Sequence, residues 1–183
     1  MIISISGKPG SGKTTIAKML AEKLGYQYHY IGEIMRKKAR EKGMTLEEYG
    51  KLCENDASFD KEADEYQREL GKKENNFVIQ GRTSFYFIPH SIKIYLDIDL
   101  QEGAKRIFKD LKNREGEADG LNKLENVIKS NQTRINCEQL RYKNYYNLDI
   151  NDLKHYDFIL DTTGLSIKQV FQKVYEYVEK KIG

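Results

Sequence analysis

An α/β fold, with a parallel sheet covered by helices on both faces, is what this sequence predicts, on two observations. Short apolar runs alternate along the chain with longer stretches of helical period, the pattern of parallel strands joined by crossover helices. The first such run, Ile2 to Ser6, leads at once into "GKPGSGKTT" and then into a helix, so the chain begins with a strand, a glycine-rich turn and a helix in that order. At 183 residues and 39% hydrophobic, the chain can bury one good core. No Pro-, Gly- or Ser-rich linker announces a second, so a single domain over residues 1–183 is expected.

The elements follow in order. Ile2 to Ser6 reads as a buried strand, Thr14 to Leu24 as a helix and Tyr26 to Tyr30 as a second strand. A strongly charged helical stretch then runs from Glu33 to about Lys73, broken at "KGMT" and near "NDASFD", without a strand signal. Strands resume with "NFVIQ" (76–80), "IKIYLD" (92–97) and "DFILD" (157–161). Two helix starts have capping-box spacing, Asp99 with Glu102 and Ser166 with Gln169. In the last helix Ile167, Val170, Phe171, Val174 and Val178 recur at helical period, so that face should pack on the sheet.

Composition excludes several classes. The longest apolar runs, such as "FVI" and "MII", fall far short of the roughly 18 residues that span a bilayer. Met1 enters the first strand with no basic leader, so a cytoplasmic protein without signal peptide or membrane contact is expected. Cys53 and Cys137 stand far apart and make neither a disulfide framework nor a metal pair; both are read as reduced bystanders. Thirty-one Lys and Arg against 28 Asp and Glu give a net charge of +3, too small to argue for a nucleic-acid partner.

Gly7, Gly12, Lys13 and Thr14 match G-x-x-x-x-G-K-[ST], in the strand-to-helix context that the motif requires. The loop Gly7, Lys8, Pro9, Gly10, Ser11, Gly12, with Lys13, Thr14 and Thr15 opening the helix, can curl its N–H groups around an anion at the helix's positive end. Lys13 brings a mobile charge to the β and γ phosphates, and the Thr14 hydroxyl can ligate magnesium. The loop is therefore read as binding the phosphates of a nucleoside triphosphate with Mg2+.

What receives the γ-phosphoryl group is a separate question, since this loop serves switches, motors and kinases alike. "DTTG" (161–164) and "NKLE" (122–125) imitate guanine-nucleotide motifs, but their order is reversed and Glu125 stands where Asp is needed. A kinase for a phosphorylated acceptor needs arginines that hold two mutually repelling anions. Arg36 lies one turn into the helix opened by "GEIMR", and Gly81 and Arg82 follow the strand "FVIQ" at its carboxyl edge, where ligands bind in such sheets. Arg134, Glu138 and Arg141 are spaced by four and three, hence on one helix stripe, while Arg106 and Arg114 lie on an earlier charged helix and its end. Each has a plainer reading as a solvated or salt-bridged surface group.

Taken together, "SGKPGSGKTTIAKMLAEKLGY", "GEIMRKKAREKGMTLEEYGK", "QGR", "IKIYLD", "RYKNYYNLDINDL" and "YDFILDTT" resemble, in order and over nearly the whole chain, the short cytidylate kinases typical of archaea. The resemblance implies a P-loop kinase sandwich with a five-stranded parallel sheet in the order 2-3-1-4-5. Its core would comprise residues 1–30, 76–111 and 123–183, with an acceptor-binding insertion over about 31–75 and a lid over about 112–122. It implies ATP-dependent phosphorylation of CMP and dCMP to the diphosphates; small-molecule substrates are the expected partners, and a monomer is expected although the sequence does not fix the oligomeric state. Lys13, Arg134 and Arg141 would then be catalytic; Gly32, Arg36, Gly81, Arg82 and Glu138 would bind the acceptor; Arg106 would lie against the adenine or phosphates. Three positions depart from the family pattern: Gln80 where relatives often carry an acid, Ile31 where they carry Ser, and Thr83 where bacterial members carry Asp. A base could stack on Phe85 or Tyr86, although core packing is the preferred role. An adenylate or other small-molecule kinase, and an ATP-binding regulatory protein, stay open at this point.

Overall fold

The structure, a computed structural model, describes residues 1–56, 58–111 and 121–182. The expected lid falls outside these residues except at Leu121 and Asn122, and Arg114 lies outside them too. Five parallel strands form one sheet: β1 (Ile2–Gly7), β2 (Gln27–Tyr30), β3 (Phe77–Gln80), β4 (Ile92–Asp97) and β5 (Phe158–Asp161). Their order is β2-β3-β1-β4-β5, as the resemblance implied. Every residue of β1 is buried, the expected state of a central strand covered on both faces. Its register pairs Ile5 with Gln80 of β3 and Ser6 with Tyr95 of β4. Because β1 lies between β3 and β4, the crossovers part on either side of its carboxyl end, and a crevice opens there.

Helix α1 (Lys13–Leu24) lays Ile16, Ala17, Leu20 and Ala21 on one sheet face, beside Val170, Val174 and Val178 of the last helix, α8 (Ile167–Ile182). Phe171 packs against this core as the periodicity predicts. Ile167 does not: it is 57% exposed, since it occupies the first turn of α8 and sheet contact begins one turn later. The opposite face is covered by α2 (Ile31–Glu41) and α4 (Ser58–Lys73), through Ile31, Ala63 and Leu70 against Ile2, Phe77 and Ile79, while α3 (Leu46–Asn55) packs Tyr49 and Cys53 against Ala39 of α2.

Local chemistry accounts for the boundaries. At "KGMT", Gly43 turns the chain with φ 65° and Thr45 caps α3, exchanging bonds with Glu48 in a complete capping box. Ser166 and Gln169 make the second complete box, at 2.9 and 3.3 Å. Asp99 instead caps α6 (Leu100–Lys109) alone, accepting from the N–H groups of Gln101 and Glu102, because the Glu102 carboxylate turns toward Arg106. A one-turn helix α5 (Ser84–Phe87), absent from the sequence expectations, follows β3; the long α7 runs from Leu124 to Tyr146. Phe85 is buried against Tyr95 and Tyr156, so it packs in the core, while Tyr86 is exposed beside Phe87 and Tyr146. Among the described residues, no helix is long and apolar enough to cross a membrane.

Candidate active site

The glycine-rich loop sits at the carboxyl end of β1. Gly10 has φ 81°, and a Cβ there would lie 2.3 Å from the Gly103 carbonyl of α6, so only glycine lets the loop settle against that helix. Gly12, at φ 85°, is the cap of α1 and contributes no side chain, which leaves the first N–H groups of the helix facing the loop's concavity. Ser11 is buried and donates to the Lys8 carbonyl at 2.9 Å, bracing the turn from within. The Lys13 ammonium donates to the same carbonyl at 2.7 Å, folded back over the loop. Lys8 pairs with Asp97 at the end of β4, 2.7 Å away.

A cleft of about 610 Å³ opens above this loop. Pro9, Gly10, Gly12, Lys13, Thr14 and Thr15 line its floor, Gly32 and Arg36 of α2 one wall, and Gly81 and Arg82 the segment after β3. From α7 come Arg134, Glu138 and Arg141. Gly7 and Lys8 line a smaller adjoining hollow shared with Arg82 and Glu138. Ser11 and Arg106 line neither. Arg106 donates instead to the Thr162 carbonyl at 2.8 Å, tying α6 to the turn that precedes α8.

The α7 stripe is not a solvated ladder. Glu138 is buried and accepts from Arg82 Nε at 2.6 Å and from Arg134 Nε at 3.0 Å, one guanidinium on each carboxylate oxygen. Burial works to raise the Glu138 carboxyl, but the charges of Arg82, Arg134 and Arg141 outweigh it and hold it at about 2. Arg82 also donates to the Gly7 carbonyl, which links the segment after β3 to the loop. Arg141 is 4% exposed; its Nε lies 2.9 Å from Asp60 Oδ2, and it donates to the Tyr142 hydroxyl at 2.9 Å. Arg36 donates to the Tyr30 hydroxyl, its guanidinium 5.2 Å from the ring centre.

Beside the loop, Gln80 donates from Nε2 to the Thr14 hydroxyl at 3.0 Å, and its Oε1 accepts from Tyr28 at 2.7 Å. Burial pushes the Tyr28 phenol well above its usual range, so it remains a donor and holds the amide's orientation. Among the described residues, no group of three His, Cys, Asp or Glu could cage a metal. Thr14 beside the phosphate-binding loop suits Mg2+, which takes few protein ligands and completes its shell with substrate phosphates and water.

Several cleft residues escaped the reading of the sequence. Asp60, Asp64 and Gln67 of α4 are all buried and line the cleft. Their i, i+4, i+7 spacing was visible, but it lay within a stretch charged on every side. Burial pushes the Asp64 carboxyl up to about 6, and the Tyr146 hydroxyl donates to it. Gln67 accepts from Ser84 at 2.7 Å, from the turn after β3. Asn131 precedes Arg134 by one turn of α7 and also lines the cleft.

The profile of the cytidylate kinase-like family matches residues 2–164. A cytidylate kinase of Methanocella arvoryzae is 39% identical over 180 residues, 98% of each chain. One from Archaeoglobus fulgidus is 35% identical over 182 residues, covering 99% of this chain and 96% of the other. Among solved structures, a shikimate kinase from Acinetobacter baumannii in complex with shikimate superposes with a TM-score of 0.63 at 19% identity, covering 98% of this chain and 93% of that one. An uncharacterized protein from Eubacterium ventriosum gives 0.69 at 16% identity, over 98% of both chains. These two likenesses speak to the shared fold alone.

Proposed function

This chain belongs to the cytidylate kinase-like family, and we propose that it transfers the γ-phosphoryl group of ATP to CMP or dCMP, yielding ADP and the cytidine diphosphate. One observation carries the reading: a phosphate-binding loop faces, across a single cleft, a wall built from Arg36, Arg82, Arg134 and Arg141. Two anionic nucleotides brought head to head need that concentration of cations, because phosphoryl transfer is mostly positioning and charge stabilisation.

In this mechanism the N–H groups of the loop and α1 hold the triphosphate, and Lys13 swings from the Lys8 carbonyl onto the β and γ phosphates. Arg36 and Arg82 grip the acceptor phosphate. One of its oxygens attacks the γ-phosphorus, the bond to the β–γ bridging oxygen breaks, and the electron pair leaves with ADP. No general base is required, since the acceptor phosphate is already ionised at neutral pH. Arg134 and Arg141 stabilise charge spreading between the two nucleotides, while Glu138 sets the spacing of Arg82 and Arg134 through its two short bonds. Thr14 would hold magnesium, which when bound supplies further positive charge against the phosphoryl oxygens. The helices α2 to α4 form the acceptor side, where Asp60 and Asp64 offer acceptors suited to an exocyclic amine such as that of cytosine.

Coupled ADP release measured with CMP, dCMP, UMP, AMP and GMP tests this reading. The highest kcat/KM is expected with CMP or dCMP. A preference for AMP would transfer the chain's chemistry to adenylate, and no turnover with any monophosphate would defeat the kinase reading.

A further inference from the structure

On α7, Asn131 stands at the head of an inward row that continues through Arg134, Glu138 and Arg141 at i+3, i+7 and i+10, all four lining the cleft. It is only 7% exposed, and its Nδ2 has no hydrogen-bond partner. Such a group is rare, because a buried amide donor without an acceptor has lost its water and gained nothing in return. An apolar side chain of similar size would fit an interior helix position without that cost, so a ligand acceptor gives the amide its reason to be there.

The surroundings identify the ligand group. Helix α6 packs against α7 and also touches the glycine-rich loop: a Cβ on Gly103 would lie 2.6 Å from the Pro9 carbonyl. Ile107, one turn further along α6, lines the same cleft as Asn131. The Asn131 end of α7 thus borders the side of the cleft that adjoins the loop, whereas Arg141 at the other end meets Asp60 of α4. A neutral N–H donor near the loop suits an anionic oxygen, which accepts hydrogen bonds and offers none. We propose that Asn131 is a further catalytic residue, its side-chain Nδ2, buried and without a partner, donating to a phosphoryl oxygen of the bound nucleoside triphosphate. The proposal rests on the kinase reading above. It adds a neutral donor to the cationic set, one whose contribution salt screens less than it screens a lysine or arginine.

The test compares Asn131→Leu and Asn131→Ser with wild type in three readings: Tm without nucleotide, the Tm rise produced by ATP with magnesium, and kcat with CMP. Loss of a donor to a charged oxygen is expected to lower kcat of Asn131→Leu roughly ten- to a hundredfold. Removal of an orphan polar group should at the same time leave its nucleotide-free Tm equal to or above that of wild type. The ATP-induced Tm rise should shrink in both variants. A residue that only fills space gives the opposite pattern, with kcat within threefold of wild type and a full ATP response, and either result in a folded variant overturns the proposal. If Asn131→Leu fails to fold, the serine variant decides on the same ATP response. Should wild type phosphorylate no monophosphate, the kinase reading fails on its own, and an undiminished ATP response in the variants would separately defeat the role of Asn131.

Discussion

Replacing Glu138 with Gln removes the one negative charge between two guanidinium groups, and the structure sets what that removes. In the native protein the carboxylate sits at 2.6 Å from Arg82 and 3.0 Å from Arg134, at 8% exposure. Its fall from 4.5 to about 2 corresponds to roughly 3 kcal/mol in favour of the folded state at neutral pH. Glutamine keeps one acceptor but leaves two partly exposed cations, Arg82 and Arg134, facing each other across it, and even a fully buried pair costs only on the order of 3 to 5 kcal/mol when broken. We therefore expect Glu138→Gln to lose about 3 kcal/mol at pH 7, a drop of roughly 6 to 12 °C in Tm at this chain length. The sign with pH follows from the depressed native value. The carboxylate's contribution is fully present above its unfolded value of 4.5 and is lost as pH falls toward 2. Urea midpoints of wild type and variant should accordingly differ most above pH 5 and converge on acidification. Bound ATP and CMP supply negative charge to the same arginines, so the nucleotides should stabilise the variant more than wild type. A variant within 2 °C of wild type at pH 7, or a gap that does not change between pH 6 and pH 3, would refute the assignment of Glu138 as the counter-charge.

Lys13→Ala should reduce turnover by two to three orders of magnitude while leaving Tm nearly unchanged, since charge-directed donors in a dry site are worth roughly 3 to 4 kcal/mol in the transition state; more than a tenth of wild-type activity contradicts its role. Arg134→Ala should lower kcat much more than Tm, and unchanged kinetics would return Arg134 to a structural part. Arg141→Ala is expected to lower both, because it strands the buried Asp60 carboxylate; calorimetry beside the kinetic assay separates the two effects. Gln80→Glu should tighten the magnesium dependence of CMP turnover, as a carboxylate beside Thr14 adds the negative charge that the amide lacks; a magnesium titration identical to wild type would exclude that contribution.

Much of the fold was legible because its signals are local. The loop from Gly7 to Thr15 announces itself within nine residues, and the capping box at Ser166 depends on groups three positions apart. Strand burial shows in runs of four to six residues, and the periodicity of α8 picks out Val170, Val174 and Val178. Exceptions arose where a local pattern met a tertiary limit. Ile167 continues the apolar stripe but lies beyond the sheet, and Glu102 has the spacing of a capping partner but turns to Arg106.

The sequence by itself determined that a nucleoside triphosphate's phosphates have a place here and that arginines lie near the strand ends, because residue type and short spacing carry both facts. Which arginine meets which partner was decided only by the sheet. Placing β1 between β3 and β4 brings Arg82 to Glu138 across 56 positions and Gln80 to Thr14 across 66. The same packing turns Asp60 toward Arg141, leaves the Asn131 Nδ2 without a partner at the cleft, and draws Arg106 away to the Thr162 carbonyl. Hydrogen bonds and ion pairs act over about 3 Å, so their partners are chosen by how helices and strands stack in space, and a linear pattern of charges is the same for every way of stacking them.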